Sequence, residues 1–164
     1  LLAQNQADSA WLLGVFLLAS SVASSVSASI WGWMADASSR QVMIRGAALA
    51  SGICLIAGGI SLVADDGFGG TWFYPLAFFI LSIAHAGVRL GRKTYLVDMA
   101  GGNKRTDYTA VSNSVIGLLL LVAGGITALI ALISSEAVII TLGLMGLAGT
   151  ISALRLKEVS VDAG

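Results

Sequence analysis

Four polar side chains in the middle of the chain are spaced so that they share one face of a helix, within about 80° of one another. They are Ser82, His85, Arg89 and Arg92. A histidine titrates near neutral pH, so His85 could carry a proton. The guanidinium of Arg89 could bind a carboxylate or a phosphate through two parallel hydrogen bonds. The spacing therefore predicts a stripe that attracts an anion or handles protons.

A second interpretation of these basic residues stays open. A helix that begins near Thr71 needs about 20 residues to cross the hydrocarbon core and would leave it near Leu90. Arg89 and Arg92 could then extend their side chains to the headgroups and have no other role. His85 lies about 6 Å deeper, one helical turn away, so this interpretation explains it less well.

The composition places the chain in a membrane. Of its 164 residues, 57% are hydrophobic and 11% are charged, whereas soluble domains carry about 25% charged residues. The mean hydropathy is +0.90. A net charge of zero gives no field that would attract nucleic acid. With one cysteine and one histidine, the sequence shows no metal spacing and no catalytic signature, so we expect neither an enzyme nor a cofactor.

Five long uncharged runs set the number of membrane spans. Each run is long enough for one crossing and too short for two, since one crossing needs about 20 residues. The runs are 9–35, 46–64, 67–88, 108–135 and 137–154. We therefore predict an all-α, polytopic transmembrane helix bundle that forms a single membrane domain over 1–164. The predicted spans are about 10–34, 43–63, 72–97, 108–133 and 136–155.

The basic residues predict the orientation of these spans. With five crossings, all nine lysines and arginines lie on or next to the same side of the membrane. Lysine and arginine mark the cytoplasmic side. We expect the first residues outside and the last inside, in a bacterial cytoplasmic membrane. Because the chain begins at Leu1 without a basic leader, we also expect it to be a piece of a longer protein.

The turn after the first span carries a charged motif, "GWMADASSR", at 32–40. Gly32 permits close helix contact. Asp36 could accept hydrogen bonds from a facing helix N-terminus, and Arg40 could pair with a carboxylate at the headgroup level. The turn is so short that the first two helices are expected to be antiparallel neighbours.

Gly32, Asp36 and Arg40 resemble the loop signature of the major facilitator superfamily, G-x-L-a-D-r-x-G-r-k. The sequence departs from it at Ala37 and Ser39, as second-half copies of that signature often do. A later loop, "VDMAGGNKRTDY", also resembles the family. The resemblance implies helices eight to twelve of a twelve-helix transporter whose N-terminal half is absent from this chain.

For function, the resemblance implies alternating-access transport of a small solute, with the proton as the coupling ion. The first, third and fourth helices would line the pathway, with the second and fifth outside as support. Asp36 and Arg40 would form a cytoplasmic gate. The basic stripe favours an anionic substrate. A different hypothesis is a non-transporting membrane scaffold or receptor subunit whose polar residues only pack.

Small residues and one amide bear on helix packing. The stretches "ASSVASSVSAS", "GAALASG" and "AGG" predict close helix approach, in either a static or a sliding bundle. Asn113 on the fourth helix could bind substrate or bond a neighbouring helix. We also expect Trp31 at the headgroup level, Pro75 in the first turn of the third helix, and Thr106 or Asp107 as cap of the fourth.

Overall fold

The computed structural model describes residues 6–63, 70–100 and 104–160, and throughout this part of the chain every regular element is a helix. The helices are α1 (Gln6–Ala37), α2 (Ser39–Val63), α3 (Gly70–Met99), α4 (Arg105–Ala131) and α5 (Ser135–Leu154). By length and composition, all five can cross a membrane. The predicted all-α bundle of five spans is confirmed, and the chain is an integral, multi-pass membrane protein.

The helix ends differ from the predicted spans because hydropathy marks the hydrocarbon core, whereas helices continue into the headgroup region. Only Ser38 separates α1 from α2. The predicted caps of α4 are wrong, because Lys104 occupies the N-cap position and makes no side-chain cap bond. Pro75 lies inside α3, beyond its first turn, because that helix begins earlier than predicted, at Gly70.

The second helix is the centre of the bundle. It packs most extensively against α3 and α5, while α1 packs along α3 and touches α2 less. Buried residues run the length of α2, from Ser39 through Ser51 to Gly58. The expectation that α2 and α5 are outer supports therefore differs from this arrangement. The helices α1 and α2 are in contact, as expected of neighbours joined by a short turn.

Glycines let the backbones of α2 and its partners approach closely. A Cβ at Gly46 would lie 2.9 Å from Val88 Cγ2 and 3.0 Å from Ala84 O on α3. At Gly143 it would lie 2.8 Å from the Leu55 side chain, across the contact of α5 with α2. The predicted role of small residues is thus confirmed on α2, and Gly143 allows the same close approach on α5.

The contact of α1 with α3 depends on an indole. Trp31 is buried, and its Nε1 donates to Ile83 O at 2.9 Å. A Cβ on Gly87 of α3 would lie only 2.6 Å from Trp31 Cε2, so the indole packs directly against this glycine. Trp31 is therefore a packing residue between α1 and α3. A Cβ at Gly32 would meet nothing within 4 Å, so its predicted close contact is absent from the described structure.

The fourth helix lies at the edge of the bundle. None of its residues is buried, and its main contacts are with α5 and α3. Within the described residues, a Cβ at Gly117, Gly124 or Gly125 would meet nothing within 4 Å. The "AGG" of α4 therefore does not mediate helix packing here.

Candidate functional site

A partly open cavity of about 520 Å³ lies between α1, α2, α3 and α5. Its position follows from the residues that line it. Ser51 is the central residue of α2, His85 lies at the middle of α3, and Ser24 and Gly146 lie near the middles of their helices. The cavity is therefore at the mid-depth of the four helices that surround it.

Three residues of the predicted stripe line this cavity together: Ser82, His85 and Arg89. Because α3 carries them at successive turns, local helix geometry is sufficient to align them. Both His85 and Arg89 line the cavity and have exposed side chains in this chain. The Ser82 hydroxyl donates to Phe78 O at 2.9 Å, so its oxygen remains available as an acceptor.

The other two predicted pathway residues lie elsewhere. Arg92 is absent from the cavity lining; its Nη1 is buried without a hydrogen-bond partner in the described structure. Asn113 is exposed and lines a separate, shallow depression at the start of α4, beside Arg105 and Thr109. The expectation that α4 lines the same cavity as α1 and α3 is therefore not met in this chain.

The serines of α1 and α2 that line the cavity were predicted from the sequence only as packing residues. Ser20 and Ser24 line the same cavity as His85, and Cys54 and Ser51 line it from α2. The i, i+4 spacing of the two α1 serines was a possible signal, but similar serines on the same helix only bond its own backbone. Ser21, for example, donates to Leu17 O at 2.8 Å.

The cavity wall combines one fixed charge with apolar surface. Arg89 is the only formally charged residue in the lining, which contains no Asp or Glu. Phe78, Leu81 and Leu142 supply large apolar side chains. Over the described residues, no group of three His, Cys, Asp or Glu could hold a metal ion. The arrangement suits an organic molecule with a few polar atoms.

A second polar cluster joins the α1–α2 turn to the chain that follows α5. We call it the tail clasp, and it comprises Ser38, Ser39, Asp98, Glu158 and Ser160. Ser38 Oγ donates to Glu158 Oε2 at 2.6 Å and accepts from the backbone N–H of Gln41 at 3.1 Å. Ser38 thus caps α2 and binds the tail at the same time.

The buried half of the clasp is a triangle of oxygens. Ser39 is fully buried. Its Oγ lies 3.2 Å from Asp98 Oδ2, to which it donates, and 2.9 Å from Ser160 Oγ. Ser160 Oγ also donates to Asp98 Oδ2, at 3.2 Å. One carboxylate on α3 therefore binds hydroxyls from both α2 and the tail.

The predicted gate residues take other partners than expected. Arg40 Nη2 donates to Leu154 O at 2.7 Å, at the C-terminal end of α5, and not to a carboxylate. A cation suits this place because the last carbonyls of a helix carry partial negative charge. Asp36 is exposed, and the N-terminal amides of α2 bond Ser38 and Ser160 instead. The tail clasp could not be read from the sequence because its residues lie up to about 120 positions apart.

We expect the tail clasp to weaken at acid pH through Glu158. Burial acts to raise the pKa of this carboxyl, but hydrogen bonds from Ser38 and from the backbone of Ser160 and Val159 outweigh it, so the pKa is lowered. A lowered folded pKa stabilises the folded state above the unfolded value, about 4.3, and this stabilisation is lost as the pH falls through the folded value.

The measurement is the unfolding free energy of the purified chain in mild detergent between about pH 6 and pH 3, for the unmodified chain and Glu158→Gln. The difference between the two should be greatest near neutral pH and shrink on acidification. Two parallel pH profiles would contradict the role given to Glu158.

Comparisons with known protein families, with characterised proteins and with solved structures found no match to this chain.

Proposed function

We propose that this chain is part of a secondary active transporter of the major facilitator type, which moves a small solute by alternating access with the proton as coupling ion. The observation that carries the proposal is the cavity at mid-depth between four spans, lined by His85 and Arg89. Binding sites of secondary transporters lie near the bilayer midplane, between helices that can rock against one another.

The charge of Arg89 is energetically costly in a membrane. A charged side chain near the membrane centre costs about 2.5–3.5 kcal/mol or more on insertion scales, so it faces a cavity or a partner. A scaffold made only to pack would lower its energy by filling the 520 Å³ with apolar side chains. Retention of a guanidinium and an imidazole on the cavity wall favours transport over the scaffold hypothesis.

The tail clasp suits a gate. Ser39, Asp98 and Ser160 fasten α2, α3 and the tail at one end of the bundle, and alternating access needs one end that closes while the other opens. Arg40 adds a link from α2 to α5. In this proposal the clasp lies on the cytoplasmic side of a bacterial membrane, because the basic residues collect at that end.

The proposed partner is the N-terminal half of the same transporter. His85 and Arg89 line a partly open cavity and have exposed side chains, and lipid is a poor neighbour for a guanidinium. A second bundle packed against them would enclose the cavity and exclude lipid from it. In the same proposal, α4 and Asn113 complete the pathway only when this half is present.

Flux into proteoliposomes tests the proposal, using the longer polypeptide that contains both halves. Saturable uptake of a small solute is expected. His85→Ala should lower uptake by about tenfold at unchanged membrane abundance, the equivalent of losing about 1.4 kcal/mol of binding. Val97→Ala, an exposed position on the same helix outside the cavity, is the matched control and should keep full uptake.

The scaffold hypothesis predicts the opposite result. A protein whose polar residues only pack would show no saturable uptake with any solute, and His85→Ala would then change abundance or nothing. Uptake that persists unchanged in both His85→Ala and Arg89→Ala would remove the stripe from the mechanism.

A further inference from the structure

We infer that the cavity binds an organic monoanion, with its acidic head on Arg89 and a short apolar body extending toward Phe78. This inference deepens the proposed function, on which it rests, by naming the chemical class of the solute. It is argued from the charge of the lining, from the order of polar and apolar residues along α3, and from the depth of the site.

The residues that line the cavity carry an unbalanced positive charge. Arg89 is the single formal charge among the lining residues, and none of them is a carboxylate. A guanidinium in the hydrocarbon core is costly unless an opposite charge or several acceptors compensate it. The described wall offers hydroxyls but no counter-charge, and an anionic occupant would supply one. Because there is one cation, a single negative charge balances it, and the same cation repels cationic solutes.

The order of side chains along α3 gives the occupant a direction. In order along α3, the residues that line the cavity are the apolar Phe78 and Leu81, the polar Ser82 and His85, and last the cationic Arg89. At 1.5 Å per residue, Phe78 and Arg89 are about 16 Å apart along the helix axis. A molecule that lies along α3 would therefore place its apolar part against Phe78 and Leu81 and its anionic head at Arg89.

Helix α1 supplies hydrogen-bonding groups for the occupant. Its Ser20 and Ser24 line the same cavity as His85. Ser51 Oγ donates to Gly143 O at 2.7 Å, so it serves packing of α2 with α5 first. A volume of about 520 Å³ is typical of small-molecule sites, in which a mostly apolar wall carries a few placed polar groups.

A free solute and a lipid headgroup share the oxyanion chemistry that Arg89 recognises. The depth of the cavity favours the solute. His85 lies at the middle of α3, and Arg89 follows one turn later, whereas phosphates lie at the membrane surface, about 15 Å from the midplane. A lipid would have to pull its headgroup well below that surface to reach the wall formed by Ser24 and His85.

Equilibrium dialysis tests the inference on the chain reconstituted in phosphatidylcholine nanodiscs. The probes are radiolabelled benzoate and benzamide, which have the same shape but differ in charge. We expect saturable binding of benzoate and at least about tenfold weaker binding of benzamide, because only the carboxylate makes charge-assisted bonds to Arg89. This comparison uses the unmodified chain, so it does not depend on whether any variant folds.

Substitutions at Arg89 test whether this residue provides the positive charge that binds benzoate. Arg89→Gln should lower benzoate affinity by about tenfold or more and leave benzamide binding unchanged, while Arg89→Lys should recover part of the loss. Arg45→Gln is the matched control, since Arg45 is an exposed arginine on α2 that does not line the cavity. It should bind benzoate as the unmodified chain does.

Three results would overturn the inference. They are equal binding of the two probes, loss of benzoate binding in Arg45→Gln as large as in Arg89→Gln, and abolition of benzoate binding by phosphatidylglycerol added to the nanodiscs. The last result would make a lipid the occupant. Flux by the longer polypeptide separates the two proposals: transport without benzoate binding rejects the anion class alone, and benzoate binding without transport rejects the carrier alone.

Discussion

Replacing Gly91 by alanine should lower the unfolding free energy of the chain by about 1–3 kcal/mol, the range for forcing a methyl group into a packed interface. The new Cβ would lie 2.9 Å from Met43 Cγ and 3.0 Å from both Met43 N and Ser39 O. Two of these three atoms belong to the backbone of α2, so no side-chain rotation can relieve the contact. The helices would have to separate at their most extensive interface.

Gly59→Ala is the matched control for this experiment. A Cβ there would meet nothing within 4 Å, and alanine is the better helix former by up to about 1 kcal/mol. Gly59→Ala should therefore be neutral or stabilising. The measurement is reversible unfolding of each purified variant in mixed micelles of mild and denaturing detergent. Equal effects of the two substitutions would show that Gly91 contributes only helix propensity and not helix contact.

Gly91 also shows that a sequence alone does not identify which small residues form helix contacts. Gly87 and Gly91 form a small-xxx-small pair on α3, and they contact Trp31 of α1 and Met43 of α2 respectively. The sequence pattern had indicated close packing at the "AGG" of α4, yet a Cβ at Gly124 or Gly125 would meet nothing within 4 Å in the described structure. A small residue permits close approach but does not require it, so the partner helix has to be known.

The number and type of the spans were predictable for a different reason. Lipid forbids unsatisfied backbone groups, so long uncharged runs have essentially one available structure. The shared face of Ser82, His85 and Arg89 was equally predictable, because residues three and four apart on one helix share a face whatever surrounds the helix. Ser20 and Ser24, on the other wall, become neighbours of His85 only once α1 packs along α3.

A disulfide between positions 39 and 160 should arrest transport by the longer polypeptide. Ser39 Oγ and Ser160 Oγ are 2.9 Å apart, and sulfur atoms at the same positions need only a small shift to reach a bond length of about 2.05 Å. If the tail clasp opens in each cycle, oxidation of Ser39→Cys with Ser160→Cys should reduce flux by about tenfold or more. Reduction should restore it.

The native thiol requires a background variant, because Cys54 lines the cavity. Flux is first measured for Cys54→Ala alone, and both clasp substitutions are then added to it. Ser39→Cys alone in that background is the control and should respond to neither oxidant nor reductant. Formation of the disulfide, seen as a loss of two hydrogens by mass, tests the geometry separately from function. A complete disulfide with undiminished flux would mean that the clasp is a static joint, and the gate would then have to lie at another position on the bundle.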